Sequence, residues 1–370
     1  MIPILFPPGE TLYNNNGLGR MSEATHCTVT EERNGIYELA MTYPVDGERF
    51  DDIQLGCQIL ARPSDKATRS QPFDIVNIRK TLDATIEILA QHISYRMAFI
   101  PVKPVSNTSY ITAGAAINAV KNQIVGSNPF QVSTDIASRA VYHLDEPASL
   151  KSVMYGMEGS LLDMYGGTWE FDWFNATLKG QRGEDTKLKI RYGKDLTGMN
   201  YESSNEGIFT GVLPYWRGTV GEGDQSQDVV VVADSPVTVP ALANAMPFAR
   251  NIVLDVTSDF QQGEFTDQPS QAQVIAKGQK YLDANATSTE TINIDVSFVP
   301  LWQTDGGQTT QHPRIGLCDE LTVIHAPMGI QYSGKIVKTE YDVLKDRYQT
   351  LGIGLLKPKL SDIIVAGGIK

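Results

Sequence analysis

Between residues 25 and 98 apolar and polar positions alternate in short runs. The stretch "THCTVTEERNGIYELAMTYPV" alternates, breaks at Asn34-Gly35 and alternates again, which is the pattern of a β-hairpin. "CQILARP", "PFDIVNIRKTL" and "TIEILAQHISYRM" predict three further strands, with a turn near Asp83-Ala84. Many short strands in succession predict a small barrel or sandwich.

From about residue 100 the apolar period lengthens. "TAGAAINAVKNQIVG" has helical spacing, with Thr112 placed as N-cap and Gly126 at the end. "DEPASLKSVMYGMEGSLLDMYGG" predicts a second helix. Its Pro147 falls in the first turn, its apolar stripe runs through Leu150, Val153, Met154, Met157, Leu161 and Leu162, and Gly166-Gly167 stop it. We assign that stripe to core rather than to a binding groove. "GGTWEFDWFN" then predicts a strand with Trp169, Phe171 and Trp173 on one face and Glu170 and Asp172 on the other, turning back near Asn175. "LKIRYGKDLTGMNYE", "IFTGVLPYWRGTV", "QDVVVVADSP" and "ETINIDVSFVPLW" read as strands. "PSQAQVIAKGQKYLDAN" reads as a helix capped by Ser270, and the end of the chain is β again.

An internal echo runs through this pattern. "GCQILARP", ending at Pro63, precedes a strand, "KTLD" and "TIEILA". "DELTVIHAP", ending at Pro327, precedes a strand, "KTEYD" and "YQTLGIG". The order is the same and the spacers differ, as expected of two similar small barrels with helical material between them.

Charge narrows the possible partners. The net charge of −12 is concentrated in residues 200–312, which carry 14 acids and 4 bases. Such a segment repels nucleic acid. No apolar run approaches the roughly 18 residues that cross a bilayer as a helix. "MIPILFPPGE" has no basic n-region and carries three prolines, unlike a secretory signal. Cys27, Cys57 and Cys318 are odd in number and far apart, which predicts free thiols and no metal site. His26, His92, His143, His312 and His325 show no zinc-binding spacing. No phosphate loop, dinucleotide fingerprint or G-x-S-x-G elbow is present, and no cofactor is expected. Cys27 and His26 are strand neighbours on opposite faces, so they form no nucleophile pair.

Glu170 and Asp172 are the one candidate acid pair. At i and i+2 on a strand, carboxylates share a face about 7 Å apart, within the roughly 5–9.5 Å used by glycoside hydrolases. Jelly-roll glycanases with such a motif usually carry a third acid two residues on, where this chain has Phe174. A solvated acidic face opposite a Trp/Phe/Trp core face accounts for the same residues, and we expect neither acid to be catalytic.

Several segments together resemble the N-terminal region of the phage tail-hub family, also called prophage endopeptidase tail or tail-associated lysin proteins. They are "GIYELAMTYPVDGE" (35–48), "QPFDIVNIRKTLDATIEILAQHISYRM" (71–97), "LLDMYGGTWEFDWFNATLKGQRGEDTKLKIRYGKDLTGM" (161–199), "FTGVLPYW" (209–216) and "VKTEYDVLKDRYQTLGIG" (337–354). The resemblance implies an α+β, mostly β fold: two small antiparallel β-barrels related by an internal repeat, plus mixed α/β insert domains. It implies a first barrel over 1–98 and an insert over 99–199 with 245–292. The second barrel then takes 200–244 with 293–358, and 359–370 are a tail. A structural, non-enzymatic virion protein follows, a homotrimer closing the tail tube at the tail tip or baseplate and assembled in the host cytoplasm. The implied partners are the distal tail protein ring, the tape-measure C-terminus and receptor-binding or tail-fibre proteins, with DNA only in transit. The hydrolase domain that names some members has no counterpart in these 370 residues. We expect Asp224, Asp228, Asp234, Asp255 and Asp259 to face the channel. Two other readings stay open: a cell-wall or polysaccharide hydrolase using Glu170 and Asp172, and a carbohydrate-binding adhesin with Trp169 or Trp302 as stacking platform.

Overall fold

The computed structural model describes residues 2–107, 109–157, 159–205, 208–220, 227–240, 247–260, 268–285, 291–299 and 314–354. Contacts divide the chain into two compact units, Met1–Tyr201 with Asn293–Leu356, and Glu202–Ile292 with Lys357–Lys370.

The first unit is built on one 13-stranded sheet. After β1 (Ile4–Phe6), the predicted hairpin is β2 (His26–Glu32) and β3 (Tyr37–Pro44), turning at Asn34 with φ +57°. Asn is one of the few residues with a side chain that adopts this conformation at low cost. Then come β4 (Gln58–Ala61), β5 (Gln71–Lys80) and β6 (Thr85–His92). Within the sheet these five lie in the order β2-β3-β6-β5-β4.

An insert follows, with helix α1 (Ala113–Asn122). The Thr112 hydroxyl caps it by accepting from the Ala115 amide at 3.3 Å. Strand β7 (Gln131–Thr134), the short helix α2 (Leu161–Tyr165), β8 (Thr168–Asp172) and β9 (Asn175–Lys179) complete it, with β7 parallel to β9 and β9 antiparallel to β8. The expected second helix is broken into a single wide turn, Ser152–Gly156, and α2. Gly159 at φ +74° interrupts it, and Ser160 starts α2 afresh by capping Asp163. Leu150, Val153, Met154 and Leu161 join Phe130, Trp169 and Leu178 in the core, so most of the stripe is buried as expected; Met157 is exposed.

The chain returns through β10 (Asp185–Arg191) and β11 (Leu196–Ser204), leaves for the second unit, and re-enters at β15 (Thr291–Phe298). Between them that unit holds β12 (Gly211–Val220), β13 (Gln227–Val232), β14 (Asn251–Asp255) and α3 (Gln271–Asn285). The Ser270 hydroxyl caps α3, and the Gln273 side chain reaches back to the Ser270 amide at 2.8 Å. Strands β16 (Glu320–His325), β17 (Ile330–Asp342) and β18 (Arg347–Gly354) complete the first unit's sheet.

The internal echo is structural. The second set lies in the order β11-β15-β18-β17, with β16 on the far side of β17, the order of β2-β3-β6-β5-β4. Both sets carry a bulge at the same place, Val76 between Ile75 and Asn77 and Val337 between Ile336 and Lys338. The Gly56 amide bonds the Ile75 carbonyl at 2.9 Å and the Cys318 amide bonds the Ile336 carbonyl at 2.8 Å, and both residues have positive φ. This register pairs Leu55-Gly56-Cys57 with Leu317-Cys318-Asp319, displacing by two residues the match that aligned Pro63 with Pro327. The mostly β class is as expected, but among the described residues the pairings run as one open sheet rather than two closed rings. β17 is the reason: 13 residues long, it pairs with β16 through its first half and with β2 through Lys338–Asp342.

Candidate functional site

A highly charged concavity of the first unit surrounds the β8–β9 hairpin. It is a cleft of about 530 Å³ between the loop 63–71, the hairpin with the segment 181–184, and the turn 316–319. Glu170 and Asp172 both line it, as the period-2 pattern requires. The aromatic side departs from expectation. Trp169 is core at 1% exposed, and Phe171 is half-buried. Trp173 instead sits in the two-residue turn at φ +54°, one residue earlier than the expected turn near Asn175. Its indole packs edge-on against Tyr13 at 4.9 Å, lies under the Arg69 guanidinium at 4.5 Å, and donates to the Ser70 carbonyl at 2.8 Å. The turn is docked onto the loop before β5, which provides contacts that outweigh the strained φ.

Every carboxylate in the cleft has a cation. Asp172 receives a bidentate pair from Arg69 (Nε at 2.6 Å) and an amide hydrogen from Gln71 at 2.8 Å. Burial pushes the Asp172 carboxyl up, but the Arg69 and Gln71 hydrogen bonds and the Arg69 charge outweigh it and hold it below the usual range. Glu170 pairs with Lys179 and lies 4.0 Å from Arg182. Arg182 binds Glu31 at 2.8 Å and donates to the Trp169 carbonyl at 3.1 Å. Asp319, 1% exposed, takes Lys66 at 3.0 Å and the amides of Glu184 and Gly316 at 2.9 and 2.8 Å. Lys66 also reaches Glu184 at 2.7 Å.

His92, which shares Gln71 with Asp172, is fully buried and stacks on Tyr37 at 4.3 Å. Its Nδ1 accepts from the Ser94 amide at 3.2 Å, which leaves Nε2 to donate to Gln71 Oε1 at 3.3 Å. Burial pushes its pKa down to about 3, so it is neutral and both ring nitrogens are occupied. The arrangement suits cross-linking of distant segments: each charge is neutralised by a partner more than 100 residues away or across the hairpin. Among the described residues no cluster of His, Cys, Asp and Glu has the makings of a metal site. Cys27, Cys57 and Cys318 are free and buried, and His26 is exposed, so the Cys27–His26 faces diverge as expected. The partners Lys66, Arg69 and Arg182 carried no signal in the sequence, because the spacing that joins them exists only in the fold.

The five channel candidates lie elsewhere. Asp224, Trp302 and the Asp259 side chain are outside the described residues. Asp228 stands opposite Thr219 and Asp255 opposite Tyr215, so both lie on one face of the second unit's sheet, with Val230, Val232 and Val253 exposed beside them. The other face carries Trp216, Val231, Leu254 and Val256, which pack with Val274 of α3. Asp255 accepts from the Tyr215 hydroxyl and the Thr257 amide at 2.9 Å each and lies 3.5 Å from Arg217. Asp234 is exposed just after β13.

The sequence matches no protein-family model and no curated protein. Solved structures do match. Prophage tail protein gp18 from Listeria monocytogenes EGD-e aligns with TM-score 0.61 at 13% identity, over 99% of this chain and 98% of that one. The tail protein from Neisseria meningitidis MC58 aligns at 0.57 and 11% identity, over 96% of each chain. The 43 kDa tail protein of prophage MuSo2 from Shewanella oneidensis aligns at 0.57 and 12% identity, over 97% of this chain and 99% of that one. This chain has the fold of these tail proteins along nearly its whole length.

Proposed function

We propose that the chain is a structural phage tail protein: a homotrimeric hub at the distal end of the tail that closes the tube, joins it to the adsorption apparatus and opens for DNA. The observation that carries this reading is the five-strand set present twice in one chain with the same order and the same bulge. Three such chains in a ring present six similar faces, which suits a six-fold partner ring. The likeness to tail proteins, two of them from prophages, supports a place in the virion. Its neighbours in this reading are the distal tail protein ring, the tape-measure C-terminus and receptor-binding or tail-fibre proteins.

Glu170 and Asp172 act here as structural anions. Their ion pairs with Lys179 and Arg69 support that role over general acid and base. The surface acids Asp228, Asp234 and Asp255 of the second unit fit a bore that must not hold a duplex carrying one charge per roughly 1.7 Å, and Asp224 and Asp259 are assigned to it in this reading. Electron microscopy of the purified chain, alone and with a distal tail protein, tests the reading. A three-fold ring seated on the six-fold ring is the expected result. A particle with no three-fold ring, or one whose bore is lined by Lys and Arg while these acids lie on the rim, overturns it.

A further inference from the structure

The repeat leaves one strand junction made inside the chain and its counterpart unmade. Within the chain, the second half of β17 receives β2: Lys338–Asp342 pair with Glu32–Thr28, and the Arg33 amide bonds the Val337 carbonyl at 2.9 Å. The junction starts just after the bulge, where β17 has parted from β16. Val337 is there 4% exposed and Thr339 fully buried.

β5 is the counterpart of β17. It pairs with β4 through Gln71–Asp74, bulges at Val76, and continues as Asn77–Lys80 against β6 alone among the described residues. Val76, the counterpart of Val337, is 44% exposed, and Asn77, Arg79 and Lys80 are exposed. The counterpart of β2 is β11, which ends the sheet path with β15 as its one strand neighbour among the described residues. Asn200 and Tyr201 on it are exposed. One chain thus carries an acceptor edge and a donor strand of the kind it joins internally, at opposite ends of its repeat.

We infer that Leu196–Tyr201 of β11 in one copy adds to Val76–Lys80 of β5 in the next, repeating between chains the β17–β2 junction made within each. The contact is head-to-tail, so it closes only as a ring. Main-chain hydrogen bonds supply attraction, as in strand addition, and the bulged valine supplies the apolar contact. An uncovered edge after a bulge is otherwise a liability for uncontrolled association. The inference rests on the ring proposed above and specifies which edges join its subunits; within the ring, junctions inside chains and between chains then alternate.

Two measurements on the full chain test it. Ile78→Cys combined with Asn200→Cys is treated with a short bismaleimide; the native cysteines are all buried. Covalent multimers up to the closed ring are expected. Thr30→Cys with Glu340→Cys, directly paired within one chain, is the positive control and gives only an intrachain link. Separately, Val76→Asp is compared with wild type by light scattering and circular dichroism. An unchanged spectrum with an assembly constant weakened by at least about tenfold is expected. If rings form normally in Val76→Asp and the cysteine pair never links copies, the junction is wrong while the ring reading stands. A chain that stays monomeric at every concentration overturns both.

Discussion

Replacing Arg182 by Met tests whether the charged cleft is a structural joint. The guanidinium is 13% exposed and its partner Glu31 10%, with 2.8 Å between them. The same side chain satisfies the Trp169 carbonyl and lies near Glu170, so it ties β2 to the insert hairpin. Methionine keeps most of the volume and none of the donors. The loss is dominated by the Glu31 carboxylate, left buried without its cation. Breaking such a pair from one side costs about 3–5 kcal/mol, whereas removing both charges costs far less. Arg182→Met should therefore lower the melting temperature of the first unit by roughly 6–20 °C, at about 2–4 °C per kcal/mol. Adding Glu31→Gln should recover about 1–3 kcal/mol of that. Urea unfolding followed by tryptophan fluorescence reads the effect, because Trp169 and Trp173 lie in this unit. A loss under about 1 kcal/mol, or a double variant as unstable as the two single losses added, would refute the reasoning.

Trp169→Ala removes a buried indole that also donates to the Met154 carbonyl at 3.2 Å, and should cost about 3–5 kcal/mol by thermal denaturation. Gly183→Ala places a Cβ 2.1 Å from the Cys318 carbonyl oxygen at φ +83°; a loss of about 2–5 kcal/mol is expected in the same assay, and an unaffected melting curve would show that the two segments do not touch. His92 is held neutral, its pKa lowered from 6.5 to about 3 by burial, so the unfolded chain binds a proton that the folded chain does not. Stability should be complete above pH 6.5 and fall as pH drops toward 3, by at most about 4–5 kcal/mol at 1.36 kcal/mol per pH unit. His92→Gln should flatten that part of a pH titration of stability, and an equal slope in both proteins would assign the acid sensitivity elsewhere. Glu170→Gln should leave zymograms on purified cell wall unchanged; abolition of a measured wall-degrading activity would make the acid catalytic.

Local chemistry was legible in the sequence. The Asn34-Gly35 hairpin, the Thr112 and Ser270 caps, the strand alternation and the placing of Glu170 and Asp172 on one face all depend on interactions within a few residues. The repeat was legible as an order of elements, because each strand brings its own pattern. Its register was not. A bulge at Val76 and Val337, and a positive φ shared by Gly56 and Cys318, leave no common letter at the second pair of positions. The helix expected from Asp145 to the Gly166-Gly167 stop broke because glycine spacing and a new serine cap outweighed a continuous apolar stripe. Tertiary structure alone decided the rest. Whether a barrel closes depends on which edge a long strand offers after its bulge, and β17 offers it to β2. Whether two acids are catalytic depends on what faces them: Arg69 reaches Asp172 from a loop that the hairpin meets only when docked, and Arg182, just past the hairpin, is held beside Glu170 by its pair with the distant Glu31. Alternation fixes the side of a strand that a residue occupies; the partners on that side are fixed by packing between segments far apart in the chain.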